Sequence, residues 1–172
     1  MALALILAKQ PRLLLLDEPV AALDPLARRN FLALLADAVA AGGLTVLLSS
    51  HLVADLERVC DHLIMLSASR VQLCGDIDDL LAEHRLLIGP SKDTSAIERD
   101  HRVVQITRTP RQTTMLVRTS GPVVDPAFEA SEVSLEDLVL AYMGEDAPPA
   151  LAQLTSVAPG GAKPSRAWGE QK

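Results

Sequence analysis

The sequence predicts an α/β fold: a parallel sheet with helices, followed by a small β-rich C-terminal appendage. Three observations predict it. Stretches with helical apolar spacing alternate with short Leu, Val and Thr runs through residue 83. The run Leu13-Leu14-Leu15-Leu16 has no polar face, which suits a strand covered by helices on both sides. Near Leu86 the composition turns to Thr, Arg, Pro and Val, with alternating stretches at Arg102–Thr107 and Thr113–Thr119 that suit an exposed antiparallel sheet.

Taken in order, residues 2–9 read as a helix and 13–16 as a strand. Asp24 followed by Pro25 has the form of an N-cap with proline at the first helical position, and it opens a helix over 25–40. Phe31, Leu34, Leu35 and Ala38 mark that helix's apolar face. The apolar stretch from Phe31 to Leu48 is long enough to weigh as a membrane span, but Gly42-Gly43 divides it, so helix, turn and strand (45–49) are expected. A short helix over 52–59, strands at His62–Leu66 and Val71–Leu73, and a helix over 76–83 follow. Ser134 then precedes Glu136 and Asp137, with Leu135, Leu138, Val139 and Tyr142 as the apolar positions of a closing helix. Beyond Gly144 the chain is rich in Pro, Ala, Gly and Ser without periodicity. The organisation expected is therefore a first domain over 1–83, an appendage with its closing helix over 86–144, and a disordered tail over 145–172.

Composition narrows the function. The 172 residues are 49% hydrophobic, enough for a real core, but only 2% aromatic, which leaves few platforms for stacking bases. With 16 Lys and Arg against 22 Asp and Glu the formal net charge is -6, and no basic stripe follows the chain, so nucleic acid is not an expected partner. Cys60 and Cys74 have neither CxxC nor zinc spacing and read as ordinary thiols of a reducing compartment. The N-terminal apolar run has no basic residues before it and is not read as a signal peptide.

Chemistry is suggested by carboxylates at a strand end. In open α/β sheets ligands bind outside the carboxyl ends of the strands, and Asp17 and Glu18 follow the Leu13–Leu16 run directly. Leu-Leu-Leu-Leu-Asp-Glu-Pro, then Ala-Leu-Asp-Pro, then Ser-Ser-His resembles the Walker B, D-loop and switch-histidine series of ABC-transporter ATP-binding subunits, a class of P-loop NTPase. The resemblance covers residues 1 to 83 and implies roles. Asp17 would hold Mg²⁺ through water, and Glu18 would polarise the water that attacks the γ-phosphate of ATP. His51 would contact the γ-phosphate and steady Glu18, and Asp24 would lie at the interface with a second ATP-binding subunit. A transmembrane permease would be the other partner, and the chain would sit in the cytoplasm at the inner face of the membrane. The closing Leu-Glu-Asp segment resembles the C-terminal extensions of exporter subunits more narrowly.

Each residue also has a plainer reading. Asp17 and Glu18 could be a solvated strand end, Asp24 a helix cap alone, and His51 a loop histidine. His62, His84 and His101 have no metal spacing and are expected to be structural or exposed, and Arg28 and Arg29 to be surface charges.

No G-x-x-x-x-G-K-[ST] occurs in the 172 residues, and neither the Leu-Ser-Gly-Gly-Gln signature nor the Q-loop glutamine is present. The expectation is the C-terminal portion of a longer ATPase, whether by truncation, a split gene or a mis-assigned start, inactive alone and binding neither ATP nor Mg²⁺ well. Two alternatives stand beside it: a catalytically inactive interaction module, and a piece of a soluble ABC-type DNA-repair ATPase.

Overall fold

The computed structural model describes residues 2–122 and 125–144, so the tail expected at 145–172 lies outside the described residues. The chain divides into two compact units between Val59 and Cys60.

The first unit opens with α1 (Ala2–Leu7). Gln10 ends it in a left-handed conformation (φ 50), its N–H donating to the Leu7 carbonyl, and Pro11 follows with no N–H to continue the helix. The helix is accordingly shorter than the expected 2–9. Next, β1 (Leu13–Leu16) and β2 (Thr45–Leu48) pair in parallel, Leu13 opposite Thr45 and Leu16 opposite Leu48. Parallel neighbours need a crossover, and α2 (Pro25–Ala40) provides it. The Asp24 carboxylate accepts the N–H groups of Leu26 and Ala27, which satisfies two of the orphan donors at the α2 N-terminus. At the other end Gly42 (φ 89) and Gly43 (φ 82) turn the chain into β2; a Cβ at either would meet nothing, so glycine is needed there for conformation rather than space. α3 (Val53–Val59) closes the unit.

The α2 core face differs from the expectation at one position. Leu32 and Leu35 are buried with Phe31 and Ala38 beside them, whereas Leu34 is 60% exposed. Leu34 sits about 100° around the helix from Leu35, on the side away from Leu32, which takes it off the core face.

The sheet departs further. Leu14 is buried, but Leu13, Leu15 and Leu47 are 56%, 65% and 56% exposed. One face of the two-stranded sheet is covered by the described residues and the other is open, in place of the two-sided cover read from the leucine run. Alternation along each strand places Leu13, Leu15 and Asp17 on the open face of β1, and Thr45, Leu47 and Ser49 beside them.

The second unit begins with β3 (His62–Ser67) and β4 (Arg70–Asp76). They were read as further parallel strands; they form an antiparallel hairpin instead, with Ser67 opposite Arg70. The reason is local. Only Ala68 and Ser69 connect them, both left-handed (φ 48 and 59), the two-residue turn whose twist matches a hairpin. Asp76 accepts the N–H groups of Asp78 and Asp79 and so caps α4 (Ile77–Glu83).

An antiparallel sheet follows, ordered β6-β7-β5-β8, from β5 (His84–Pro90), β6 (Arg102–Arg108), β7 (Gln112–Arg118) and β8 (Glu129–Ser131), with α5 (Ser95–Asp100) between β5 and β6. Leu87, Ile97, Met115, Val117 and Phe128 form its core. β5, α5 and β8 were not foreseen. β5 follows Glu83 without any turn residue, α5 has a single buried apolar residue, Ile97, and the three residues of β8 are all exposed, so none carries a clear period.

The closing helix is α6 (Leu135–Met143), capped by Ser134, with Leu135, Leu138, Val139, Ala141 and Tyr142 buried. Its Tyr142 hydroxyl lies 3.0 Å from His84 Nε2, and both side chains are fully buried. His84 Nδ1 is 2.6 Å from the Leu80 carbonyl, which can only accept, so Nδ1 carries the proton and Nε2 accepts from the tyrosine. His101 is buried and accepts the Ser120 N–H, and His62 is exposed at 3.7 Å from the Cys74 sulfur. Burial and the neighbouring Asp61 push the Cys60 thiol up to about 11, which keeps it protonated at neutral pH, as an unreactive thiol would be.

Candidate active site

The candidate site is assembled by strand register. Leu16 and Leu48 are opposite at the ends of β1 and β2, and the Ser49 N–H continues the ladder one step, donating to the Leu16 carbonyl at 2.8 Å. Asp17 and Ser49 therefore leave the sheet side by side at its carboxyl edge. The Ser49 hydroxyl donates to Asp17 Oδ1 at 2.5 Å, and Ser49 Oγ in turn accepts the Glu18 N–H at 2.9 Å.

Glu18 has a left-handed backbone (φ 45), unusual for a residue with a Cβ. The chain turns there, the Ala21 N–H donating to the Glu18 carbonyl. Glu18 Oε2 lies 2.9 Å from His51 Nδ1, with the histidine side chain 65% exposed and the glutamate 38%. An ionised carboxylate only accepts, so His51 Nδ1 donates and Nε2 is left for a ligand. Three of the four residues read from the sequence, Asp17, Glu18 and His51, thus gather within one hydrogen-bonded cluster. Asp24 is placed apart from it, as the α2 cap.

Two departures from the sequence reading belong here. Arg28, taken for a surface charge, is partly buried and pairs with Asp55 at 3.6 Å, tying α2 to α3, whereas Arg29 is exposed. Ser49, which the sequence reading gives no role of its own, bonds both the Asp17 carboxylate and the Glu18 backbone N–H. The signal was present in the pattern, since Ser49 follows its strand as Asp17 follows its own, but reading it required the β1–β2 register.

The arrangement has a limited chemical range. A carboxylate held by an imidazole can take a proton from water. Asp17 engages Ser49 through one of its two oxygens, which leaves the other for a cation. Among the described residues no three His, Cys, Asp or Glu side chains gather to hold a metal. A single carboxylate nonetheless suits Mg²⁺, which keeps several waters and takes its other ligands from phosphate. A shallow cleft of about 590 Å³ in the first unit is lined by Arg12, Leu13, Gly43, Leu44 and Thr45, at the opposite end of the strands from Asp17. The carboxyl edge itself is open.

A family profile for AAA domains, whose description also names the AbiEii toxin of type IV TA systems, matches residues 1–54. The chain is 39% identical over 85 residues to the thiamine import ATP-binding protein ThiQ of Vibrio parahaemolyticus, covering 49% of this chain and 34% of that protein. It is 42% identical over 81 residues to the energy-coupling factor transporter ATP-binding protein EcfA2 of Symbiobacterium thermophilum, 47% of this chain and 28% of that one. This chain is a homologue of ABC-transporter ATP-binding subunits.

The match to a third ATP-binding subunit is longer. The molybdenum import ATP-binding protein ModC of Rhodopseudomonas palustris is 30% identical over 141 residues, 78% of this chain and 38% of that protein. The chain spans about a third of the length of these ATP-binding subunits. Its α/β class and its small parallel sheet agree with the family profile. No helix among the described residues is long and apolar enough to cross a membrane.

Proposed function

We propose that residues 1–83 carry the water-activating and γ-phosphate-sensing side of a composite ATP site in an ABC transporter, and that the phosphate-gripping side comes from residues outside these 172. The single observation that carries the reading is the Glu18–His51 contact at 2.9 Å beside Asp17, at the carboxyl edge of a parallel strand pair. Glu18 is the general base: it takes the proton as a water oxygen bonds to the γ-phosphorus and the bond to the ADP leaving oxygen breaks. His51 donates Nδ1–H to one Glu18 oxygen, leaving the other for that water, and Nε2 meets the γ-phosphate. Asp17 would hold Mg²⁺, which would supply charge neutralisation to the phosphates. Asp24 caps α2 and lies at the interface with a second ATP-binding subunit.

In the intact system the chain works with that second subunit and with a transmembrane permease, at the cytoplasmic face of the membrane. An export direction is read from the Leu-Glu-Asp helix that closes the appendage over 86–144; ThiQ and ModC are named as import proteins. A second reading, an interaction module without catalysis, is favoured by the lack of a phosphate-cradling glycine loop and lysine in the sequence.

Calorimetry with Mg-ATP tests the composite site. The chain alone is expected to bind negligibly, and micromolar affinity would overturn the division of labour. Added to a phosphate-gripping partner, the chain should restore hydrolysis that depends on Glu18; restoration that survives Glu18→Gln would leave the interaction module as the better reading.

A further inference from the structure

We propose that Ser49 is a positioning residue for the site, holding Asp17 by its carboxylate and Glu18 by its backbone amide, an assignment that rests on the reading of Asp17 and Glu18 above. Its hydroxyl has one hydrogen and it is committed: an ionised Asp17 can only accept, so the Ser49 O–H donates to Oδ1 at 2.5 Å. A lone pair of the same oxygen accepts the Glu18 N–H at 2.9 Å. The Glu18 amide, the Ser49 hydroxyl and the Asp17 carboxylate thus form one chain with all hydrogens pointing the same way, an arrangement in which each bond polarises the next.

The consequence falls on Glu18. Its left-handed backbone (φ 45) is unfavourable for a residue with a Cβ, so something must hold it. The segment after β2 holds it at two points, Ser49 on the amide and His51 on the carboxylate Oε2. The two serines before His51 are not equivalent. Ser50 Oγ accepts the Leu52 N–H in a local turn, whereas Ser49 Oγ bonds the Asp17 carboxylate and the Glu18 amide. What fixes Ser49 in turn is the ladder bond from its own N–H to the Leu16 carbonyl. Strand register therefore determines where the base of the site is held.

Threonine and valine at position 49 separate the hydroxyl from side-chain shape, since both are branched and differ by O–H against methyl. Hydrogen exchange of the full chain, read by mass spectrometry at the Glu18 amide, is expected to speed up about tenfold in Ser49→Val and to change less than about twofold in Ser49→Thr, with Leu35 in α2 unchanged in both. Should the valine variant not fold, Ser49→Ala carries the same comparison. Equal Glu18 protection in the wild type and the hydroxyl-free variant overturns the proposal. In the hydrolysing assembly Ser49→Val should lower kcat about tenfold, with threonine restoring it. Full turnover in Ser49→Val, together with loss of turnover in Glu18→Gln, sinks the Ser49 role alone. Unchanged turnover in Glu18→Gln sinks the reading of the site itself, while the exchange result still decides whether Ser49 holds the Glu18 backbone.

Discussion

His51 Nδ1 lies 2.9 Å from Glu18 Oε2, although the two residues are brought together only by the parallel pairing of β1 with β2. The contact joins the strand end that carries the carboxylates to the loop that follows the neighbouring strand. It gives the proposed base a partner that fixes which of its oxygens is left for water.

In the assembly that hydrolyses ATP, Glu18→Gln should lower turnover by about 10² to 10⁴ with nucleotide affinity retained, because the amide keeps the shape but cannot take a proton. His51→Ala should slow turnover sharply as well. Steady-state kinetics beside direct nucleotide binding checks both. A mild effect of His51→Ala would favour a loop role for the histidine.

Asp24→Ala should destabilise the chain by about 1 kcal/mol, since it strips the acceptor from the Leu26 and Ala27 amides, and Asp24→Asn should recover most of that. Thermal melts of the pair are the measurement. No loss in the alanine variant would show that the cap contributes nothing.

Acid should weaken the second unit through His84. Burial is the main cause that lowers its affinity for a proton; the Leu80 carbonyl raises it, Arg118 lowers it, Glu83 raises it and Arg102 lowers it. Because its pKa when folded lies below the ordinary value of 6.5, the unfolded chain binds the extra proton first, so stability falls as pH drops below about 6.5 and stops falling below the folded pKa. The Tyr142 hydroxyl faces the ring and donates to it in the neutral form. Denaturant melts between pH 7.5 and 5 should show the decline in the wild type and a flatter profile in His84→Gln; parallel profiles would remove His84 as the cause.

Gly89→Ala should detach β8. A Cβ at Gly89 would come within 2.6 Å of Phe128 Cδ1 and 2.8 Å of the Ala127 carbonyl oxygen, one of them backbone that cannot swing aside. A cost of about 1 to 3 kcal/mol follows from overpacking. Urea melts of Gly89→Ala against the wild type check it, and equal midpoints would mean the Phe128 ring relocates freely.

The open face of β1 and β2 should make the isolated chain associate or dissolve poorly, since Leu13, Leu15 and Leu47 are each more than half exposed on one patch. Gel filtration with light scattering tests this, and Leu15→Lys should reduce the association. A monodisperse wild-type monomer that melts cooperatively would contradict the expectation.

Much of the fold was legible from local pattern. Asp24-Pro25 marked where α2 begins and Gly42-Gly43 where it ends, because capping and left-handed turns are chemistry of adjacent residues. The strand ends that carry Asp17 and Ser49 were legible for the same reason, as was the buried face of α6 with its Ser134 cap. Other features were not. Whether β3 and β4 ran parallel depended on two left-handed residues, Ala68 and Ser69, neither of them glycine, so composition did not announce the hairpin. β8 is three exposed residues, which form a strand only because β5 offers an edge.

By itself the sequence determined the α/β class, the order of the main elements, and the residues Asp17, Glu18, Asp24 and His51 as the ones to watch, since each stands next to the local feature that places it. Only the tertiary structure decided which of them meet. Ser49 meets Asp17 and Glu18, and His51 meets Glu18, because hydrogen-bond register aligns two strands far apart in the chain, while Asp24 is held away in its cap. It also decided that one face of the leucine strand stands open, because a run of identical apolar residues states that burial is favourable and leaves unstated what does the covering.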